Sequence, residues 1–102
     1  MNFNMQQLMN EAKKIQSELT NTTKAIESTV FEGVNGPVKV TGTGAYVITK
    51  IECSDKEAMA DMESFLDMVQ LAVNDMLAKI QAVKKEKLKK YTNGTSDLFE
   101  LL

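Results

Sequence analysis

The fold of this chain follows from residues 29–53, which read TVFEGVNGPVKVTGTGAYVITKIEC. β-Branched and aromatic residues recur there in three short runs, and glycines separate the runs. β-Branched side chains favour extended backbone, and glycine and asparagine tolerate the positive φ angles of tight turns. The pattern predicts antiparallel strands at residues 29–31, 38–41 and 46–51, joined by turns at residues 33–37 and 42–44.

The third predicted strand is apolar on both of its faces. Strict alternation places Tyr46 and Ile48 on one face and Val47, Ile51 and Cys53 on the other. A three-stranded sheet that has helices on one side cannot bury both faces. Because a second copy of the chain would cover the exposed face or extend the sheet, we expect a homodimer.

A long helix is predicted on the N-terminal side of the sheet, over residues 4–27. Apolar or small side chains recur at alternating steps of three and four, which places them on one helix face. They are Met5, Leu8, Ala12, Ile15, Leu19, Thr22 and Ile26. This spacing is typical of a helix that packs lengthwise against a neighbour.

A second, longer helix is predicted after the sheet. Ser54 and Glu57 have the spacing of a reciprocal capping box, which indicates that the helix begins there. The apolar stripe continues to Val83, and Gly94 offers a stop. About 35 helical residues would span roughly 50 Å, so part of this helix must project or pack on another chain. The predicted fold class is therefore α+β.

Methionine is frequent on both predicted helices. Met5, Met59, Met62 and Met76 occupy positions of the apolar stripes. Methionine can line an adaptable groove for a partner, but it also fills ordinary cores. We expect these four residues to lie in the core.

The chemistry of the chain argues against catalysis and against a metal cofactor. The sequence has no histidine and one cysteine, and all 12 of its basic residues are lysine. It therefore lacks the usual acid–base groups, metal ligands and bidentate anion clamps. We expect a binding protein that has no enzymatic activity, no cofactor and no small-molecule substrate.

The length and the first residues indicate the organisation and location of the protein. A chain of 102 residues fits one domain over residues 1–102, in which residues 92–102 form a short apolar tail. The tail either packs on the protein's own dimer, frays, or docks a partner. The opening MNFNMQQ has no basic start and no apolar run, so a cytoplasmic location without a membrane anchor is expected.

Charge is unevenly distributed along the second helix. Residues 55–78 carry six acids against Lys56, whereas residues 79–90 carry six lysines against Glu86. Part of the lysine cluster can simply stabilise the negative end of the helix dipole. If the first helix starts beside the end of the second, Lys13 and Lys14 join the cluster in one basic tip.

Such a tip predicts binding to the phosphates of double-stranded DNA with little sequence preference, because ammonium groups are point charges. The residues predicted to contact the DNA are Lys13, Lys14, Lys79, Lys84, Lys85, Lys87, Lys89 and Lys90.

Three strings resemble the YbaB/EbfC family of bacterial nucleoid-associated proteins, over about residues 4 to 92. They are MQQLMNEAKKIQ at residues 5–16, VKVTGTG at residues 38–44 and LAVND at residues 71–75. The resemblance implies a homodimer with tweezer-like helical arms that binds DNA in the cytoplasm and nucleoid, where it would affect nucleoid organisation and gene expression. The sequence departs from the family pattern at Met76, at residues 34–37 and in the tail.

The predicted dimer interface combines apolar residues around the third strand with two residues of the LAVND string. They are Tyr46, Val47, Ile48, Ile51, Val73 and Asn74. Asn74 either contacts the partner or is an exposed helical residue.

Two other functions remain open on the sequence. A prefoldin-like chaperone subunit also joins two long helices through a β-hairpin region, but it binds unfolded chains with apolar helix tips. The predicted tips here are rich in lysine. A structural or adaptor dimer would dock its partner on the acidic face of the second helix or on Leu98 and Phe99 of the tail.

Overall fold

The computed structural model describes residues 4–92, which form two long helices and a three-stranded antiparallel sheet. The elements are α1 (Met5–Ser28), β1 (Val30–Asn35), β2 (Val38–Thr43), β3 (Ile48–Cys53), a short 3₁₀ helix (Lys56–Met59) and α2 (Met62–Thr92). The predicted α+β class is confirmed. Residues 93–102, which make up most of the predicted tail, lie outside the described residues.

Helix α1 begins at Met5 because Asn4 caps it. The Asn4 side chain accepts hydrogen bonds from the backbone N–H of Gln6 at 3.0 Å and of Gln7 at 3.3 Å. The helix ends at Ser28, where Thr29 takes an extended conformation and leads into β1. Both ends lie within one residue of the predicted bounds.

Helix α2 begins later than the sequence predicts. The Ser54 hydroxyl donates to the carbonyl of Pro37 at 3.4 Å, and Asp55 accepts from the N–H of Glu57 at 3.0 Å, which caps only the 3₁₀ turn. Asp61 then accepts from the backbone N–H of Ser64 at 3.2 Å. The predicted capping box is wrong, because carboxylates at positions 55 and 61 cap the backbone in its place.

A β-bulge at Thr49 changes the faces of β3. Ile51 pairs with Val40, but Ile48 pairs with Gly42, so one residue of β3 is left over between them. Directly paired residues share a face, which places Ile48 and Ile51 together on the face of buried Val40. The prediction of opposite faces is wrong because alternation fails across a bulge.

The turn before β3 is longer than predicted. Tyr46 and Val47 precede the strand, and Tyr46 has a φ of 64°, in the left-handed region. Its N–H donates to the carbonyl of Thr43 at 3.0 Å, which closes the turn. β3 therefore runs over residues 48–53 instead of residues 46–51.

Gly33 lies inside β1 and not in the turn that the sequence predicts, and it lets α2 pack closely on the sheet. A Cβ atom at Gly33 would collide with the carbonyl oxygen of Ala72 and the backbone nitrogen of Met76. Gly44 lies in the β2–β3 turn, and a Cβ atom there would collide with the carbonyl of Ile26 in α1. A glycine between β-branched residues marks either a turn or a close approach of backbone, and the sequence does not distinguish them.

The core lies between α2 and one face of β1 and β2. Its buried members are Phe31, Val38, Val40, Ala72, Met76 and Ile80. Strand β3 forms an edge of the sheet, while α2 packs mainly on β1 and β2. Ile48 and Ile51 consequently stay 42% and 49% exposed on the face that α2 covers elsewhere.

Two side chains of α2 occupy the outer edge of β1. Asp75 Oδ2 accepts from the N–H of Val34 at 3.0 Å, and Lys79 Nζ donates to the carbonyl of Glu32 at 2.9 Å. The two side chains also form an ion pair at 3.2 Å. We call Asp75 and Lys79 the edge clamp. Because it satisfies backbone groups that a further strand would use, β3 is the edge that remains open.

The edge clamp also changes the acidity of Asp75. The hydrogen bond from the Val34 N–H, followed by the hydrogen bond and charge of Lys79, holds the pKa of Asp75 below its usual value. The carboxylate is therefore the form that folding favours.

Gly33→Ala is expected to lower the free energy of unfolding by about 3 kcal/mol or more, because the new methyl group overlaps backbone atoms of α2. Gly36→Ala is the control. Gly36 has a φ of +55° and its nearest neighbour is the Met68 sulfur at 3.6 Å, so its substitution strains the turn without a collision. A loss of about 1 kcal/mol is expected there. Urea denaturation measures both, and equal losses would contradict the role given to Gly33.

Asp75→Ala is expected to destabilise the protein at pH 7, and the loss should shrink as the pH falls below about 4. A lowered folded-state pKa means that the contribution of Asp75 is present above the unfolded pKa and disappears as the pH falls through the folded one. Asp67→Ala, an exposed acid on the same helix, is the control. Thermal unfolding over this pH range measures both, and a loss from Asp75→Ala that does not change with pH would contradict the clamp.

Candidate nucleic-acid interface

Parts of both helices form an arm that projects beyond the β2–β3 turn. Gly44 in that turn lies against Ile26 of α1, and Tyr46 contacts Lys84 of α2. From this level α2 continues for about 12 Å to Thr92, and α1 extends for about 32 Å to Met5. The longest dimension of the molecule, 73 Å, exceeds the length of α2 accordingly. Within residues 4–92, the outer half of the arm therefore consists of α1.

Four lysines surround the described end of α2, and all are exposed. Lys85 and Lys89 are four residues apart and share one side of the helix, whereas Lys87 and Lys90 are three apart and share another. Lys90 Nζ lies 5.0 Å from the centroid of the Tyr91 ring. A ring of ammonium groups can contact backbone phosphates but has no fixed geometry for reading base edges.

Two of the predicted lysines are held by other parts of the fold. Lys79 belongs to the edge clamp. Lys84 Nζ lies 4.2 Å from the centroid of the Tyr46 ring and 3.1 Å from its hydroxyl oxygen. Tyr46, predicted for the dimer interface, thus contacts a lysine predicted for the DNA interface.

Lys13 and Lys14 lie farther out on the arm than the lysines of α2. Lys13 is about 20 Å along α1 from Ile26, whereas Lys90 is about 9 Å along α2 from Lys84. The sequence predicts one shared tip. The structure places both lysine groups on the same arm, about 10 Å apart along it.

The acidic cluster of residues 55–75 lies away from the arm, whereas Glu11, Glu18 and Glu86 lie on it. Of its six acids, Asp55 caps the 3₁₀ helix. The other five lie in that helix, in the segment after it and in the first half of α2, which crosses the sheet. A DNA duplex at the arm would keep most of these carboxylates at a distance, where salt screens them.

The outer half of α1 also carries an apolar stripe that is exposed. Met5 is 60% exposed, Leu8 47%, Met9 51% and Ile15 53%. Of the four methionines expected in the core, only Met76 is buried, and Met5, Met59 and Met62 are exposed. Periodicity identifies one face of a helix, but it does not show whether another element covers that face.

The residues predicted for the dimer interface lie around β3 and on α2. Ile48 and Ile51 are on the open edge strand, and Tyr46 and Val47 are 47% and 54% exposed in the turn before it. On α2, Val73 packs against the core and Asn74 is exposed.

Two functional candidates on α2 were missed by the sequence analysis. Asp75, which follows Asn74, forms the edge clamp with Lys79. Leu66 is 57% exposed and lies seven residues before Val73, on the side of α2 opposite Asp75 and so towards β3. The LAVND string includes Asp75, but only the contact of its side chain with β1 identifies this residue as a functional candidate.

Other chemistry is sparse in the part of the chain that the structure describes. Between residues 4 and 92, no group of three or more acidic, cysteine or histidine side chains is arranged to hold a metal ion. None of the helices there is long and apolar enough to cross a membrane. The Cys53 thiol donates to the carbonyl of Asp55 at 3.1 Å.

Comparison with solved structures finds the same fold in the crystal structure of an uncharacterized protein from Helicobacter pylori. The TM-score is 0.74 at 16% identity, and the match covers 88% of this chain and 98% of that one.

Two related sequences are named nucleoid-associated proteins. One, from Acinetobacter baumannii, is 33% identical over 100 residues, which cover 92% of this chain and 90% of the relative. The other, from Lactococcus lactis, is 34% identical over 95 residues, which cover 90% and 96%.

The sequence profile of the YbaB/EbfC DNA-binding family matches residues 1–95. The family profile covers almost the whole chain, and both named relatives are more than 30% identical to it. This chain therefore belongs to the YbaB/EbfC DNA-binding family of nucleoid-associated proteins.

Proposed function

We propose that this protein binds double-stranded DNA as a homodimer with little sequence preference, and that it acts in the cytoplasm on the nucleoid, where it affects nucleoid organisation and gene expression. The observation that carries this proposal is the ring of exposed lysines, Lys85, Lys87, Lys89 and Lys90, on a projecting helical arm. Membership of a DNA-binding family supports the choice of ligand.

The binding is mainly electrostatic. Lysines on the arm neutralise phosphates and release counterions, and this contribution does not depend on sequence. The chain has no arginine, which makes the commonest bidentate contact with guanine. Little sequence preference follows from that composition.

The open edge of the sheet supports the homodimer. The edge clamp covers β1, so pairing of strands between two copies has to use β3. Ile48 and Ile51 lie on that strand, and Leu66 lies on the side of α2 that faces towards it. Together they offer an apolar surface that a second copy can bury.

Two arms in one dimer strengthen binding beyond the sum of single contacts. Once one arm holds the duplex, the second binds at a high effective concentration. Each arm can offer about three phosphate contacts, so a dimer that uses both arms neutralises about six phosphates. The logarithm of affinity should then fall with the logarithm of salt concentration at a slope near −5, since each contact contributes about −0.9.

Lys85→Glu/Lys87→Glu is expected to weaken DNA binding and to change the salt slope from about −5 to about −2, because a dimer loses up to four phosphate contacts. These positions avoid Lys79 and Lys84, which contact Asp75 and Tyr46 within the fold. Fluorescence anisotropy with a labelled duplex at several salt concentrations measures the slope.

Lys39→Glu/Lys56→Glu is the matched control for charge. It changes the net charge by the same amount, but Lys39 lies on β2 and Lys56 on the 3₁₀ helix, away from the arm. The control should keep the parent slope. If it loses as much binding as the arm variant, net charge and not the arm determines affinity.

Ile51→Asp is expected to convert the dimer into a monomer of 11.3 kDa. An unpaired carboxylate would be buried at the proposed interface, and the dissociation constant should rise at least about a hundredfold. Val30→Asp is the control, because Val30 is 64% exposed on β1, the strand with the covered edge. Sedimentation velocity gives the masses, and a parent protein that sediments as a monomer would refute the homodimer.

A further inference from the structure

The turn between β2 and β3 contains a strained residue, Tyr46. Its φ of 64° lies in the left-handed region, where a bulky residue is rare, and among residues 4–92 only Gly36 also has a positive φ. Hydrogen bonds hold the turn in this form. The Tyr46 N–H donates to the carbonyl of Thr43 at 3.0 Å, and the Thr43 N–H donates to the carbonyl of Val47 at 2.9 Å. A strained conformation that its surroundings fix in this way is typical of a functional position.

This backbone conformation places the Tyr46 side chain against Lys84 of α2. Lys84 Nζ lies 4.2 Å from the ring centroid and 3.1 Å from the phenol oxygen. An ammonium group only donates hydrogen bonds, so Lys84 donates and the phenol oxygen accepts. In the part of the chain that the structure describes, no group accepts the phenol proton. One O–H donor and the two remaining N–H donors of Lys84 therefore meet at the base of the arm.

Lys84 is half-buried, yet among residues 4–92 its charge has no carboxylate partner. Lys79, which is also held by the fold, pairs with Asp75 at 3.2 Å. A cation that is partly removed from water without an opposite charge is costly. The ring face and the hydroxyl oxygen of Tyr46 offset only part of that cost. An anion beside Lys84 would supply the charge that the fold leaves out.

The charged groups around this point also favour an anion. The turn that carries the tyrosine has no charged residue. Glu86, two residues after Lys84, lies on the opposite side of α2, whereas Lys87, one turn on, lies on the same side. On α1, the exposed Lys24 and Glu27 near the end of the helix offset each other in charge. The base of the arm therefore presents two lysines whose charge is not balanced locally.

We infer that Tyr46 and Lys84 bind one phosphate of the DNA backbone at the base of the arm. The Tyr46 O–H donates to one phosphate oxygen. The Lys84 ammonium contacts the same phosphate while it keeps its hydrogen bond to the phenol oxygen. Both side-chain types are found among the phosphate contacts of protein–DNA complexes. The inference rests on the proposed DNA-binding function and adds to it a contact whose geometry exists before the duplex arrives.

This contact differs from those of the lysine ring at the end of α2. An exposed lysine loses rotamer freedom when it is fixed on a phosphate. Lys84 is already held against the Tyr46 ring, so less freedom is lost on binding, and preorganisation of this kind raises affinity. Because the contact is to the backbone, it adds no sequence preference.

Tyr46→Phe tests the site, because it keeps the ring on Lys84 and removes only the O–H donor. DNA affinity should fall about fivefold or more, since a dimer loses two hydrogen bonds to charged acceptors. The salt slope should stay that of the parent, because no charge is lost. Fluorescence anisotropy with a labelled duplex measures both.

Tyr91→Phe is the matched control. It removes the same hydroxyl from the same arm, but the Tyr91 hydroxyl oxygen is buried in the fold and cannot reach a phosphate. This variant should keep the parent affinity. Equal losses from the two tyrosine variants would overturn the inference.

Lys84→Gln tests the charge of the site. The salt slope should become less steep by about 2, because a dimer loses two phosphate contacts. Lys56→Gln, on the 3₁₀ helix, is the control and should keep the parent slope. In the Lys84→Gln background, Tyr46→Phe should lower affinity less than about twofold, because the two side chains hold one phosphate together. A further fivefold loss there would show independent effects and overturn the inference.

The outcomes distinguish this inference from the proposed function. If the parent binds DNA and Tyr46→Phe binds equally well, the DNA function stands and the inference is wrong. If sedimentation velocity shows that Tyr46→Phe has become a monomer, its loss of affinity comes from dissociation and the inference is also wrong. If the parent does not bind DNA even at low salt, the proposed function is wrong and the inference fails with it. If only Tyr46→Phe loses affinity, as a dimer and in a manner that depends on Lys84, both stand.

Discussion

The close packing of α2 on β1 is the contact on which the rest of the structure depends. Gly33 allows the backbone of α2 to touch the sheet, and the buried side chains of Met76 and Ile80 complete the contact. Once α2 is fixed in this position, Asp75 and Lys79 reach the outer edge of β1. The same contact thus determines which face of the sheet is core, which edge is closed and in which direction the arm projects.

Regular periodicity made much of this fold predictable from the sequence. The bounds of α1, the number of strands and the change of charge along α2 all follow from patterns among residues that are close together in the sequence. The errors arise where a contact distant in sequence decides the outcome. The bulge at Thr49, the role of Gly33 and the start of α2 at Met62 each depend on which backbone groups meet across elements.

The candidate site shows the same limit. Sequence identified the lysines as a group, because charge clusters are visible in a string of residues. It could not show that Lys79 and Lys84 have fixed contacts within the fold. Lys79 contacts Asp75, four residues before it, but its other partner Glu32 is 47 residues away, and Lys84 contacts Tyr46, which is 38 residues away. Nor could it show that the outer half of α1 is uncovered, because cover is a property of the assembled elements.

The placement of the aromatic side chains gives the arm an intrinsic optical signal. The chain has two tyrosines and no tryptophan. Both tyrosine rings lie beside lysines of α2, Tyr46 under Lys84 at 4.2 Å and Tyr91 beside Lys90 at 5.0 Å. Ultraviolet emission from the unlabelled protein therefore comes from two places on the arm. Tyr46 lies at its base, and Tyr91 lies near the described end of α2. A ligand that displaces Lys84 or Lys90 therefore changes the surroundings of one of the two tyrosines.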